Sequence, residues 1–450
     1  MTTQPGADLK KSAFPKLAQL SILALILTAP FFLYPLFERP SLSQLHYIRA
    51  CSLAALALLC GVYLLFPVRP LRGSGVLFLP AGIFLAALVI PAILSPTPAF
   101  CFKETLFTLG CAALSSTLLL IPSRRKETDK ILLAFCFVGV VGALYGIAQN
   151  YGFEILGYSE EMKKGKLNVI SVFGHPNYLA AYLAPLAPIL VNYSRGGRRA
   201  SGRFLALAAT AVVILCLFLA GTRGAWLSLA VGLPLLFLFR ARAARERIPW
   251  TKILVFTTVV VLLMVLFLAC ILPLLGPRYD LRERLGDVMP LLSRFYSWRM
   301  AAEMWKDHPF LGIGFGRYKV LYWDYVDDFQ KRPGSDVYEY LMEYGKGVPP
   351  LNVHNEYLEI ASEAGVVGLA GFVFFLAVLF RGGWRALGQR RRKNLPPGLL
   401  PGILAALGCI LTDALFNFPL HQPLSALLFW ILWALAGREA IAGNGRDRVG

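Results

Sequence analysis

A chain of 450 residues that is 57% hydrophobic and only 16% charged, with a mean hydropathy of +0.59, holds far less charge than the quarter or so usual in soluble domains; most of it is expected to lie in lipid. The net charge of +19 would suit a nucleic-acid partner, but the placement of the basic residues excludes one. Eight cysteines (51, 60, 101, 111, 136, 216, 270 and 409) are scattered through apolar runs without a CxxC pair, so neither a zinc site nor a disulfide framework is expected.

A helix needs about 20 apolar residues to cross a bilayer core. Such runs fall at about 14–37, 46–66, 75–95, 104–121, 131–149, 177–193, 204–220, 225–239, 253–275, 364–380, 399–418 and 423–437, which predicts an all-α integral membrane protein of about twelve transmembrane helices. The first run is long enough to span and lacks a small-residue cleavage site, so no cleavable signal peptide is expected.

Lysine and arginine test this count, because cytoplasmic loops collect positive charge. With the N-terminus inside, most of the 45 basic residues fall on the cytoplasmic side, from Lys10 and Lys11 through Arg124–Lys126, Arg198–Arg199 and Arg240–Arg247 to Arg390–Lys393. The short external loops hold only Arg39, Arg49, Lys103 and Arg223. Two longer external segments remain, about 150–176 and 276–363, and long loops are not bound by the charge rule. The division is therefore helices one to nine in 1–275, an external helical region in 276–363, and helices ten to twelve with a cytoplasmic tail in 364–450.

In the first external segment, Phe173-Gly174-His175-Pro176-Asn177 leads into the next helix, with Asn177 as the expected cap. The second contains Ser293–Lys306, where Phe295, Trp298, Ala302 and Trp305 recur at helical spacing, and the breaker His308-Pro309 through Gly312-x-Gly314-x-Gly316 ends that stretch.

Several residues invite chemistry. Arg223, flanked by Gly221 and Gly224 at an external helix start, suits bidentate phosphate binding, and is equally consistent with a snorkelling arginine. Arg294 and Arg299 open the amphipathic stretch, where each alone reads as a solvated charge. His354 precedes a new helix and is either a general base or a structural hydrogen-bonder. Glu359 and Glu363, an acidic pair one turn apart, are costly to bury idly; they are expected to orient the histidine or to hold a neighbouring basic residue. His308, Asp413 and His421 read as a turn residue, a helix-end polar group and a short-loop histidine. The spacing shows no metal-ligand set, nucleotide loop or Ser-His-Asp pattern.

Taken in order, these pieces resemble the O-antigen ligase and polymerase superfamily of integral membrane glycan transferases. The resemblance rests on Phe173-Gly174-His175-Pro176-Asn177, Gly221-Thr222-Arg223-Gly224-Ala225-Trp226, and Arg294 with Trp298. It continues with His308-Pro309…Gly312-x-Gly314-x-Gly316 and His354-Asn355-x-Tyr357-Leu358…Glu363-x-Gly365. It covers roughly 130–420 and departs at His175, where many relatives carry asparagine.

The resemblance implies a GT-C-like fold with a periplasmic helical region between the ninth and tenth helices of an inner-membrane protein. It implies transfer of a glycan from an undecaprenyl-pyrophosphate carrier to an acceptor hydroxyl, with inversion and without metal, nucleotide or other cofactor. Arg223 and Arg294 then match arginines that hold the pyrophosphate, and His354 the catalytic histidine, with Arg299, Asn177, Tyr357 and Glu363 in support. Membrane lipids and a lipid A–core or other glycan acceptor are the expected partners. A ligase is the first reading. A polymerase or a protein O-oligosaccharyltransferase is the alternative within the superfamily, and a transporter or flippase the alternative outside it.

Overall fold

A computed structural model describes residues 20–31, 50, 75–120, 125–156, 169–196, 199–244, 251, 289–331 and 350–443. The described residues form helices, turns and loops and no strand. After a short helical piece at Leu20–Phe31, the helices are α1 (Gly75–Leu94), α2 (Pro98–Leu120), α3 (Arg125–Asn150), α4 (Pro176–Leu183), α5 (Leu186–Gly196) and α6 (Ala200–Leu219). They continue with α7 (Arg223–Ala243), α8 (Met289–Asp307), α9 (Tyr318–Gln330), α10 (Glu356–Arg392), α11 (Leu400–Asp413) and α12 (Pro423–Gly443).

Six described helices are long and apolar enough to cross a membrane: α1, α3, α6, α7, α10 and α12. The chain is accordingly a multi-pass membrane protein. The run expected at 253–275 lies outside the described residues, as do part of 14–37 and all of 46–66 but residue 50. Two other expected spans are corrected. The run 177–193 is divided into α4 and α5 at Ala184 and Pro185, since proline lacks an N–H and crowds the carbonyl four residues back. The run 399–418 stops being helical at Asp413, and residues 414–422 turn back toward the start of α10.

Packing inside lipid cannot draw on water exclusion between helices, so it depends on close approach and van der Waals contact. Small residues provide the approach. A β-carbon on Gly232 of α7 would strike the Cys409 sulfur on α11, and one on Gly383 of α10 would lie 2.8 Å from Leu404. Between α1, α10 and α12, Phe84, Phe372, Phe375, Phe429, Trp430 and Trp433 form a continuous buried aromatic cluster with ring centroids 5.0–6.5 Å apart.

Helix α8 packs by a different face from the one its aromatic spacing predicts. Ser297, Met300, Ala301 and Met304 are buried, whereas Phe295 is 58% exposed. Met300, Ala301 and Met304 join Ile313, Tyr318, Tyr322, Val326 and Val353 in a small second core. That core ties α8 and α9 to the residues just before α10.

Candidate functional site

Helix α10 is two helices joined across a kink. Gly365 has φ 65° and ψ −168°, a conformation with a steep steric penalty for a side chain. The turn and loop Pro309–Gly314 dock into this break. Ile313 N–H donates to Ser362 O and Gly314 N–H to Glu363 O, both at 2.9 Å, while Val366 N–H donates to Pro309 O at 2.8 Å. Gly312, Gly314 and Gly316 all have positive φ. Glu363 completes the junction: its carboxylate accepts from Gly316 N–H at 2.7 Å and Tyr318 N–H at 2.9 Å.

Three helix starts meet the end of α11 at one place. At α4, His175 is the N-cap in extended conformation, its Nδ1 accepting from Asn177 N–H at 3.1 Å with Pro176 at N1. This corrects the expectation of Asn177 as cap; Asn177 sits one position past the proline, and its carbonyl accepts from Asn417 Nδ2 at 3.5 Å. At α7, Gly221 (φ 68°) turns the chain, Thr222 is an N-cap whose side chain caps nothing, and Arg223 is the first helical residue. A helix start without a side-chain cap offers backbone N–H groups and positive dipole to an anion. At α10, Asn355 caps by accepting from Leu358 N–H at 3.0 Å.

His354, one residue before that cap, has φ 59°. Trp298 Nε1–H of α8 donates to its carbonyl at 3.3 Å, and its ring stands edge-on to Phe418 at 4.9 Å and 77°. The Nδ1 is buried without a hydrogen-bond partner, so the neighbouring glutamates do not fix its tautomer as expected. Burial first, then the positive charge of Arg294 and of His175, push the imidazole down to about 3. Arg294 is itself drawn down by burial and by Arg223, against the opposing pull of Asp413. His175, Arg223, Arg294, His354 and Asp413 are therefore electrostatic neighbours, although they come from five separate stretches of chain. Asp413 is held by Asn417, whose Nδ2 donates to Oδ2 at 3.1 Å, and a β-carbon on Gly224 would be 3.2 Å from Oδ1.

The remaining expected residues have other duties. Arg299 turns away, its Nε 3.3 Å from Glu303 and its guanidinium 5.1 Å from the Phe329 ring; it belongs to the solvated face. Tyr357 donates its hydroxyl to Leu411 O at 2.8 Å and braces α10 against α11.

Behind His354 lies a buried acidic cluster around His421. Its Nδ1 is 3.0 Å from Glu356 Oε1 and its Nε2 3.8 Å from Glu359 Oε1. Burial opposes charge on this ring, but Glu359 and Glu356 outweigh burial and hold it protonated well above the ordinary imidazole range. Glu359, Glu363 and His421 each offer one atom within 4.8 Å of the others, a spacing a metal ion could use, which the separation in sequence concealed. The donor set fits an imidazolium better. Glu359 already accepts from Asn352 Nδ2 at 2.6 Å and Val353 N–H at 3.1 Å, and both oxygens of Glu363 accept backbone N–H groups.

Residues 208–373 match the family model described as O-antigen ligase, a segment that includes Arg223, Arg294, the glycine run, His354 and the Gly365 break. No curated protein matches the chain.

Proposed function

We propose that this chain, whose residues 208–373 place it in the O-antigen ligase/polymerase superfamily, transfers a glycan from undecaprenyl pyrophosphate to an acceptor hydroxyl, as an O-antigen ligase does with lipid A–core. Members of the family are glycosyltransferase-like enzymes with lipid-linked glycans and glycan acceptors as general partners. The single observation that carries the finer reading is the pairing of Arg294 with Arg223, whose positive charge is near enough to disfavour that of Arg294, beside a helix start without a side-chain cap. Like charges held together in a partly buried site are relieved by an anion, and two forks suit a pyrophosphate.

In this reading the anomeric carbon of the donor glycan faces His354. The acceptor hydroxyl attacks that carbon, the carbon–oxygen bond to the pyrophosphate breaks, and the bonding pair leaves with undecaprenyl pyrophosphate. Arg223 and Arg294 stabilise the charge gathering on the leaving group. His354 Nδ1, or Nε2 in the other tautomer, takes the hydroxyl proton. Direct displacement inverts the anomeric centre.

The low basicity of His354 fits this order of events. It keeps the ring neutral, hence able to accept a proton, before the donor arrives. A unit negative charge at about 5 Å and an effective dielectric near 20 is worth roughly 3 kcal/mol, or about two pKa units, so pyrophosphate binding strengthens the base when it is needed.

The test is transfer by purified, reconstituted protein from undecaprenyl-pyrophosphate glycan to three acceptors: lipid A–core, a second lipid-linked glycan and a serine peptide. Product on lipid A–core supports a ligase, and product on either other acceptor assigns the alternative within the superfamily. Movement of the donor across the bilayer with no product on any acceptor overturns the enzyme reading.

A further inference from the structure

We propose that His421, a residue with no contact to the expected reactants, is a positioning residue that sets the place of the His354 ring; this rests on the transfer reading above. The ring of His354 has two supports. One is its own backbone, fixed at positive φ between Val353 and Asn355. Val353 N–H and the Asn352 side chain are both held by the Glu359 carboxylate. The other is Phe418, against which the ring stands. Phe418 lies in the 414–422 turn, and Glu356 fastens that turn at both ends: its N–H donates to Ala414 O at 2.8 Å and its Oε2 accepts from Leu420 N–H at 3.1 Å.

Both supports therefore depend on carboxylates of one helical turn, and both carboxylates reach His421. Glu356 and Glu359 are 1% and 2% exposed, with Glu363 at 1% beside them. Three buried carboxylates this close repel one another and forfeit hydration. The imidazolium of His421, wedged against the Phe315 ring at 5.5 Å, supplies the opposite charge that offsets this repulsion and holds Glu356 and Glu359 in these positions. Remove it and the two supports separate, while Arg223 and Arg294, on other helices, keep their places.

The experiment compares transfer kinetics of wild type, His421→Gln, Glu356→Gln and the double variant, each rate normalised to folded, monodisperse protein, with bound metals measured on the same samples. A misplaced base slows the chemical step while donor binding persists; His421→Gln is expected to lower kcat roughly tenfold to a hundredfold, with donor KM changed by less than about threefold. The double variant is expected to be no slower than His421→Gln, since the two side chains act as a unit. If His421→Gln does not fold, His421→Lys keeps the charge but displaces it, and the same kcat loss is expected with folded yield retained. A kcat within about twofold of wild type, or a loss that appears in donor KM instead, overturns the proposal. So does a stoichiometric divalent metal in wild type that is absent from His421→Gln, because the side chain is then a ligand. A wild-type protein that transfers to no hydroxyl acceptor rejects the function itself, a result distinct from all of these.

Discussion

Gly312 and Gly365 each rest on the other's stretch of backbone: a β-carbon on the first would strike Glu363 and Ala364, and one on the second would strike Phe310 and Leu311. Both have positive φ, 68° and 65°. The glycine run and the helix break are thus one joint, which fixes α8 and α9 to the membrane helix that follows His354. Alanine at Gly365 combines the left-handed penalty of roughly 1–2 kcal/mol with a backbone clash that cannot relax locally. Gly365→Ala is expected to reduce folded yield sharply and to lower the temperature at which the protein loses its monodisperse peak in detergent. A variant with wild-type yield and thermal behaviour would show that the joint bends freely.

Arg223 and Arg294 are expected to act as a pair on one anion. Alanine at either should cost about 3–4 kcal/mol of transition-state stabilisation, the usual loss for a preorganised charge donor, with the protein still folded. Lysine should rescue poorly, because a point charge lacks the planar fork. The check is kcat/KM for each single variant and for the double, whose loss should fall short of the sum since both arginines serve one leaving group. Near-complete transfer by Arg→Lys at both positions would exclude bidentate phosphate recognition.

What the sequence made legible was what has a local signature. Apolar length announced α1, α6, α7 and α12, and the charged breaks between them gave their order. The glycine spacing 312-314-316 announced the end of the α8 stretch, whereas the break at Gly365 had no local mark and appears only in its backbone angles. Burial across the fold has no such signature. His421 looked like a loop histidine because the glutamates that hold it are 58 to 65 residues earlier. The aromatic spacing of α8 suggested a face built on Phe295, but the buried face runs through Ser297, Met300, Ala301 and Met304, since small and flexible side chains let α8 approach its neighbours. His175 took the cap from Asn177 because the proline between them occupies the first helical position.

The site should face the compartment opposite the arginine-rich loops. In a cysteine-free background, a single cysteine at Trp298, whose ring is partly exposed on α8, is expected to react with a membrane-impermeant thiol reagent added outside intact cells. One at Arg391 is expected to react only after the membrane is opened. The reverse pattern would invert the topology and remove the lipid-linked donor from reach of His354.

The pH dependence separates the free protein from its donor complex. In the free protein, burial and then the charges of Arg294 and His175 hold His354 at about 3, so the ring is already neutral throughout the usual working range. Since kcat/KM reports the free enzyme and kcat the bound complex, the His354 acid limb of kcat/KM should lie well below the ordinary imidazole value of about 6.5. The donor brings negative charge beside the ring, favours the protonated form, and moves the corresponding limb of kcat upward toward that value. Lowering the pH from about 7.5 to about 5 should therefore reduce kcat while kcat/KM stays nearly level, because an ordinary imidazole would by then be mostly protonated. Initial rates at saturating and at low donor concentration over that range make the comparison, with His354→Ala as the baseline, expected roughly two to four orders of magnitude slower. If kcat/KM instead falls with an apparent value near 6.5, His354 is solvated in the free protein, and the buried ring standing against Phe418 is not its resting position.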